Sequence, residues 1–109
     1  MIEIMNLRKS KPTCSTDFRI DRASVLGNPF PMAVESERDK VCKEYEEYFH
    51  NKMKDTNSQF YSKMAEILDV YKQFKQIRLF CWCAPKRCHG ETIKKWLETN
   101  IKGEQKWQK

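Results

Sequence analysis

The sequence predicts an α/β fold: a small single domain with a short, mostly parallel sheet flanked by about three helices. Three observations carry this. Apolar residues alternate at the start of the chain and run almost without interruption from Ile77 to Trp82. Two stretches between these segments, and one after them, place apolar residues at helical spacing. Strand and helix periods therefore succeed one another within 109 residues, the length of one domain.

The first strand is expected over Met1–Leu7, with Ile2 and Ile4 on one face. A basic loop broken by Pro12 follows, and Phe18–Arg22 alternates as a short second strand. Gly27-Asn28-Pro29, with Pro31 beyond, excludes regular structure across Ala23–Ala33. A helix from Glu35 to about Lys54 has Ser36 as its expected cap and Val41, Tyr45, Tyr48, Phe49 and Met53 on its apolar stripe. Asn57 or Ser58 caps the next helix, Gln59–Phe74, which buries Phe60, Met64, Ile67, Leu68 and Tyr71. The strand Ile77–Cys81 or Trp82 should be buried on both faces and pair in parallel with the first. A last helix spans about His89–Asn100, with Ile93, Trp96, Leu97 and Ile101 inward. Residues 1–103 make the domain and 104–109 a flexible basic tail.

A 39% apolar content with thirteen aromatics marks a globular chain. The net charge of +6 and pI of about 9.1 favour anionic partners. Five cysteines, no leader-like apolar segment and no membrane-length run point to a cytoplasmic protein with reduced thiols.

Chemistry concentrates between Leu79 and Ile93. Three cysteines, His89, Lys86 and Arg87 fall between a strand and a helix, at the strand end where parallel sheets gather ligands. Three readings stay open, beside the plain one of an ordinary turn with solvated cations. In the first, the helix N-terminus with Lys86, Arg87, Cys88, His89 and Gly90 seats an anion, Gly90 letting backbone approach it, and Glu91 joins the ligand-binding residues. In the second, those cations and the helix end activate Cys88 as a nucleophile, with His89 or Asp21 moving the proton. A Cys-x5-Arg phosphatase loop is absent, because position 94 is Lys94. In the third, Cys81, Cys83, Cys88 and His89 hold zinc, although adjacent Cys88 and His89 suit one ion poorly. No cofactor is otherwise expected. Cys42 reads as core.

A second motif, Arg22 with Gly27-Asn28-Pro29-Phe30, offers an amide at Asn28 and a ring at Phe30 for a planar ligand. Its plain reading is a turn whose asparagine bonds its own backbone. Together, Arg22, Gly27-Asn28-Pro29-Phe30, the charged helix from Ser36 and Cys81-x-Cys83-x-Pro85-x-x-Cys88-His89-Gly90 resemble a family of uncharacterised phage and bacterial proteins, known as a domain of unknown function. The similarity spans roughly Phe18–Leu97. Glu91 stands where that family commonly has aspartate. The Leu79-x-Cys81-x-x-x-Pro85-x-x-Cys88-His89 pattern is more loosely similar to a second uncharacterised bacterial family. The first resemblance implies a small α/β domain, often phage-encoded and then acting in host cytoplasm, with no established reaction, and suggests that both motifs share one pocket.

The leading functional expectation is a pocket for a small phosphorylated ligand, a nucleotide or nucleoside derivative, for sequestration or nucleotide metabolism. Lys86, Arg87 and residues 88–90 would take the phosphate, and Asn28, Phe30 and Trp82 the base. One alternative is a cysteine-dependent enzyme acting on a nucleotide or DNA base. The other is a basic module for nucleic acid or a host protein, built on residues such as Arg8, Lys9, Lys11, Lys72, Lys75, Lys94, Lys95, Lys102, Lys106 and Lys109.

Overall fold

The computed structural model describes residues 1–84 and 86–107, with backbone alone for 102–107. Strand β1 is Ile2–Asn6, β2 is Asp17–Arg19 and β3 is Ile77–Cys81. They form one parallel sheet in the order β1-β3-β2. Ile2 pairs with Ile77 and Phe18 with Leu79, so the apolar positions of all three strands share a face. Helix α1 is Arg38–Met53, α2 is Gln59–Phe74 and α3 is Gly90–Trp107.

That face carries the core. Ile77, Leu79 and Cys81 join Tyr45 and Phe49 of α1, Phe60, Met64 and Ile67 of α2, and Ile93 and Leu97 of α3 in one buried cluster. Each large apolar side chain so buried contributes about 1.5–3 kcal/mol. The opposite face closes differently. Phe80 is fully buried, with the Arg78 guanidinium 5.3 Å from its ring centre. Arg78 is held in turn by Asp17, at 2.8 and 2.7 Å. The expectation of a strand buried on both sides thus holds at Phe80, where a paired arginine rather than a helix layer supplies the cover.

Local chemistry explains where elements begin. Ser58 Oγ accepts the Tyr61 N–H at 3.1 Å and starts α2 as expected. Ser36 does not cap α1. A 3-10 turn at Glu35–Glu37 precedes that helix, and the Glu37 carboxylate reaches back to the N–H groups of Ala33 and Val34 instead. β2 stops at Arg19, short of the predicted Arg22. Ile20 still donates to Phe80 O at 2.9 Å, and then consecutive turns closed by Ser24 N–H and Gly27 N–H lead away from the sheet. Helix α3 passes Gly103, because one glycine costs a helix only about 1 kcal/mol relative to alanine. Residues 108–109 of the expected tail, and the side chains of Lys102, Lys106 and Lys109, lie outside the described residues.

Candidate functional site

The loops that follow β2 and β3 meet the start of α1 at the carboxyl end of the sheet, enclosing a cavity of about 410 Å³. Asp21, Arg22, Asn28, Phe30 and Met32 come from the first loop, and Arg38, Val41 and Cys42 from α1. Cys81, Trp82, Cys83, Arg87, Cys88 and His89 come from the end of β3 and the turn after it. Asn28 and Cys88 therefore line the same cavity.

The first wall depends on Gly27. A Cβ there would lie 2.6 Å from both Arg22 Cα and Asp21 O, closer than any side chain allows. This approach puts Arg22 against the turn, where Nε donates to Asn28 O at 3.0 Å and Nη2 to Phe30 O at 3.3 Å. Asn28 Oδ1 accepts the Phe30 N–H at 2.9 Å, so the amide oxygen shapes the turn, as the plain reading of this motif has it. Phe30 stands edge-on to Tyr48, with ring centres 5.7 Å apart. The buried Tyr45 hydroxyl donates to Leu26 O at 2.8 Å and anchors the wall from α1.

The second wall is tied to both neighbours. Asn6 Nδ2 donates to Ala84 O, Lys86 pairs with Glu35 at 2.8 Å, and Arg87 pairs with Asp39 at 2.9 Å. Arg38 Nη1 donates to Arg87 O at 2.8 Å. Exposed pairs of this kind are individually weak, about 0–1 kcal/mol. Their joint effect is to neutralise the cations expected to bind ligand.

The sulfur atoms lie deeper. Cys81 Sγ and Cys88 Sγ are 3.3 Å apart and both residues are buried. The Cys88 thiol beside it holds the Cys81 pKa below its usual value, helped by the N–H groups of Cys83 and Ala84. Donation to Cys81 and burial push the Cys88 pKa up. The acidic thiol of the pair is therefore Cys81, and the cations expected to activate Cys88 point to Glu35 and Asp39 instead.

Histidine and aspartate are also engaged. His89 Nε2 donates to Ile20 O, its ring stands edge-on to Tyr45, and burial lowers its pKa, so it is neutral. Asp21 accepts from Arg19 and, at 2.9 Å, from the Trp82 indole; both bonds keep it a carboxylate, Arg19 more strongly.

The structure thus brings Arg22, Asn28, Phe30, Trp82, Arg87, Cys88 and His89 to one cavity, while Lys86, Gly90 and Glu91 are not among its lining residues. Packing also calls for a glycine at position 90: a Cβ there would meet Ile20 Cδ1 at 2.9 Å. The α3 N-terminus is closed by its own chain. Gly90 N–H faces Cys88 Sγ at 3.4 Å, Glu91 N–H donates to Cys88 O at 3.1 Å, and Thr92 and Ile93 N–H donate to His89 O. Among the described residues no group of three or more His, Cys, Asp or Glu is arranged to hold a metal. Of the four residues expected for zinc, His89 turns its Nε2 to Ile20 O, and Cys81 Sγ and Cys88 Sγ lie 3.3 Å apart.

Arg38, Val41 and Cys42 are lining residues that sequence reasoning missed. The signal for Cys42 was its place beside Val41 on the α1 stripe. Among the described residues no helix is long and apolar enough to cross a membrane. No curated protein and no solved structure matches the chain. The family model for domain of unknown function DUF4326 matches residues 5–99, and the chain belongs to that family.

Proposed function

We propose that the cavity binds a small phosphorylated ligand with a planar group, a nucleotide or nucleoside derivative, for sequestration or nucleotide metabolism in the cytoplasm of a bacterium or phage-infected host. One observation carries this reading. Arg22 lines the cavity with only backbone carbonyls as partners among the described residues, from Nε and Nη2. Among the described residues it forms no ion pair, the Asp21 carboxylate on the same lining being engaged by Arg19 and Trp82, and its Nη1 has no partner and can meet an anion. Arg38 and Arg87, by contrast, are balanced by Glu35 and Asp39. The phosphate seat moves accordingly, from the α3 N-terminus to Arg22. Phe30 and the half-exposed Trp82 supply rings for a base, and a volume of about 410 Å³ lies in the range of small-ligand pockets.

Isothermal calorimetry against a panel of ribo- and deoxyribonucleotides tests the proposal. Micromolar binding of at least one is expected. Arg22→Gln should weaken it about tenfold to a hundredfold, the effect of losing a charge-assisted bond of about 1.5–3 kcal/mol. Absence of binding across the panel refutes the reading.

A cysteine-dependent reaction on the same ligand is the second reading. It is favoured by the acidic Cys81 on the cavity lining and differs from the first in requiring turnover.

A further inference from the structure

We propose that Cys81 and Cys88 form a two-electron redox site that exchanges with low-molecular-weight disulfides entering through the cavity. Their Sγ atoms are 3.3 Å apart, and both residues line that cavity. A disulfide bond is about 2.05 Å long, so closure needs the sulfurs to approach by about 1.2 Å. Cys81 ends β3 and Cys88 precedes α3, and a turn already folds the intervening residues back, so the pair is preset by the fold. Four of the five cysteines, Cys42, Cys81, Cys83 and Cys88, line this one cavity.

The two sulfurs have different roles. The Cys88 thiol 3.3 Å away and the Cys83 and Ala84 N–H groups lower the Cys81 pKa, which favours Cys81 as the thiolate, while Gly90 N–H faces Cys88 Sγ at 3.4 Å. Cys88 is the protonated partner. The Cys81 thiolate attacks one sulfur of a disulfide RSSR. A Cys81–SR bond forms, the RSSR bond breaks, and RS⁻ leaves. Cys88 gives its proton to that RS⁻, and its thiolate then attacks Cys81 Sγ. The Cys81–Cys88 bond forms and the second RS⁻ departs, taking a proton from solvent to replace the one Cys81 had released. The protein dithiol is oxidised by two electrons and RSSR is reduced to two thiols.

This proposal is independent of nucleotide binding and is tested without nucleotide. Full-length protein is equilibrated in mixtures of reduced and oxidised glutathione, quenched by alkylation and read by intact mass and peptide mapping. One intramolecular disulfide joining Cys81 and Cys88 is expected, with Cys88→Ser trapping a glutathione adduct on Cys81 and Cys81→Ser giving none on Cys88. Cys14 is exposed and serves as an internal control for simple surface modification. Failure of the unmodified chain to form the Cys81–Cys88 bond in oxidised glutathione alone, while Cys14 is modified, overturns the proposal. So does a bond from Cys81 to Cys83 or Cys42 in its place. Both readings come from the native sequence and do not depend on the variants folding.

Discussion

Replacing Tyr45 with phenylalanine removes one oxygen and leaves the ring in place against Phe49, Tyr48 and His89. The lost interaction is the 2.8 Å bond to Leu26 O. Leu26 is fully buried, and its carbonyl has no other hydrogen-bond donor among the described residues. A buried acceptor left without a partner costs about 1–3 kcal/mol, more than the net value of an exposed bond. A loss of about 2 kcal/mol is therefore expected for Tyr45→Phe. In urea, with a slope of about 1–3 kcal/mol/M, the midpoint should fall by about 1 M at unchanged slope. The melting temperature should fall by about 10 °C. Leu26 immediately precedes Gly27, so the same variant should loosen the Arg22–Phe30 wall and weaken ligand binding along with stability. A change below about 0.5 kcal/mol would show that water or a shifted donor satisfies Leu26, and would refute the claim that α1 anchors this wall through one hydroxyl.

Two further outcomes follow from the same geometry. Arg78 bonds hold the Asp17 carboxyl well below the usual carboxylate range, with Thr13 and Cys14 N–H groups assisting. Its contribution is therefore complete above the unfolded pKa of about 4 and is lost as pH falls below it. Urea titrations from pH 7 downward should show that loss in the native chain and a shallower one in Asp17→Asn. Gly90→Ala should destabilise by about 1–3 kcal/mol, because its Cβ would press on Ile20 Cδ1 at 2.9 Å. Ile20→Val deletes that methyl, so the double variant should be more stable than the two single losses predict; strict additivity would rule out this contact as the cause.

Regular elements were legible where periodicity and end signals agreed. The α2 helix has both a Ser58 cap and a five-residue apolar stripe, and its predicted span matches the observed one. The parallel pairing of β1 with β3 was legible because helices separate two apolar strand patterns. The site was legible only in part. Lys86 and Arg87 looked like free charge because Glu35 and Asp39 lie about fifty residues away, in the 3-10 turn before α1 and in its first turn, whose placement depends on the finished core. The 3.3 Å approach of Cys81 to Cys88 depends on how the turn folds back, which spacing alone does not determine. Gly90 illustrates the same limit: a glycine signals close approach, and the neighbour that the structure brings there, Ile20, is seventy residues away in sequence.

The position of β3 has a consequence for how the chain acquires its shape. Every strand pairing in the sheet involves β3; β1 and β2 are not paired with each other. Nothing in the first half of the sequence can therefore begin a sheet. The Asp17–Arg78 clasp spans 61 residues and the Asn6–Ala84 bond spans 78. Loops that long carry an entropic cost before any contact rewards it, and folds dominated by such contacts form slowly. On a ribosome, α1 and α2 would emerge while β1 and β2 still have exposed edges, and the sheet could form only once residues 77–81, and the core only once α3 as well, had emerged. Cavity and sheet would then appear together, so a chain interrupted before β3 would have neither.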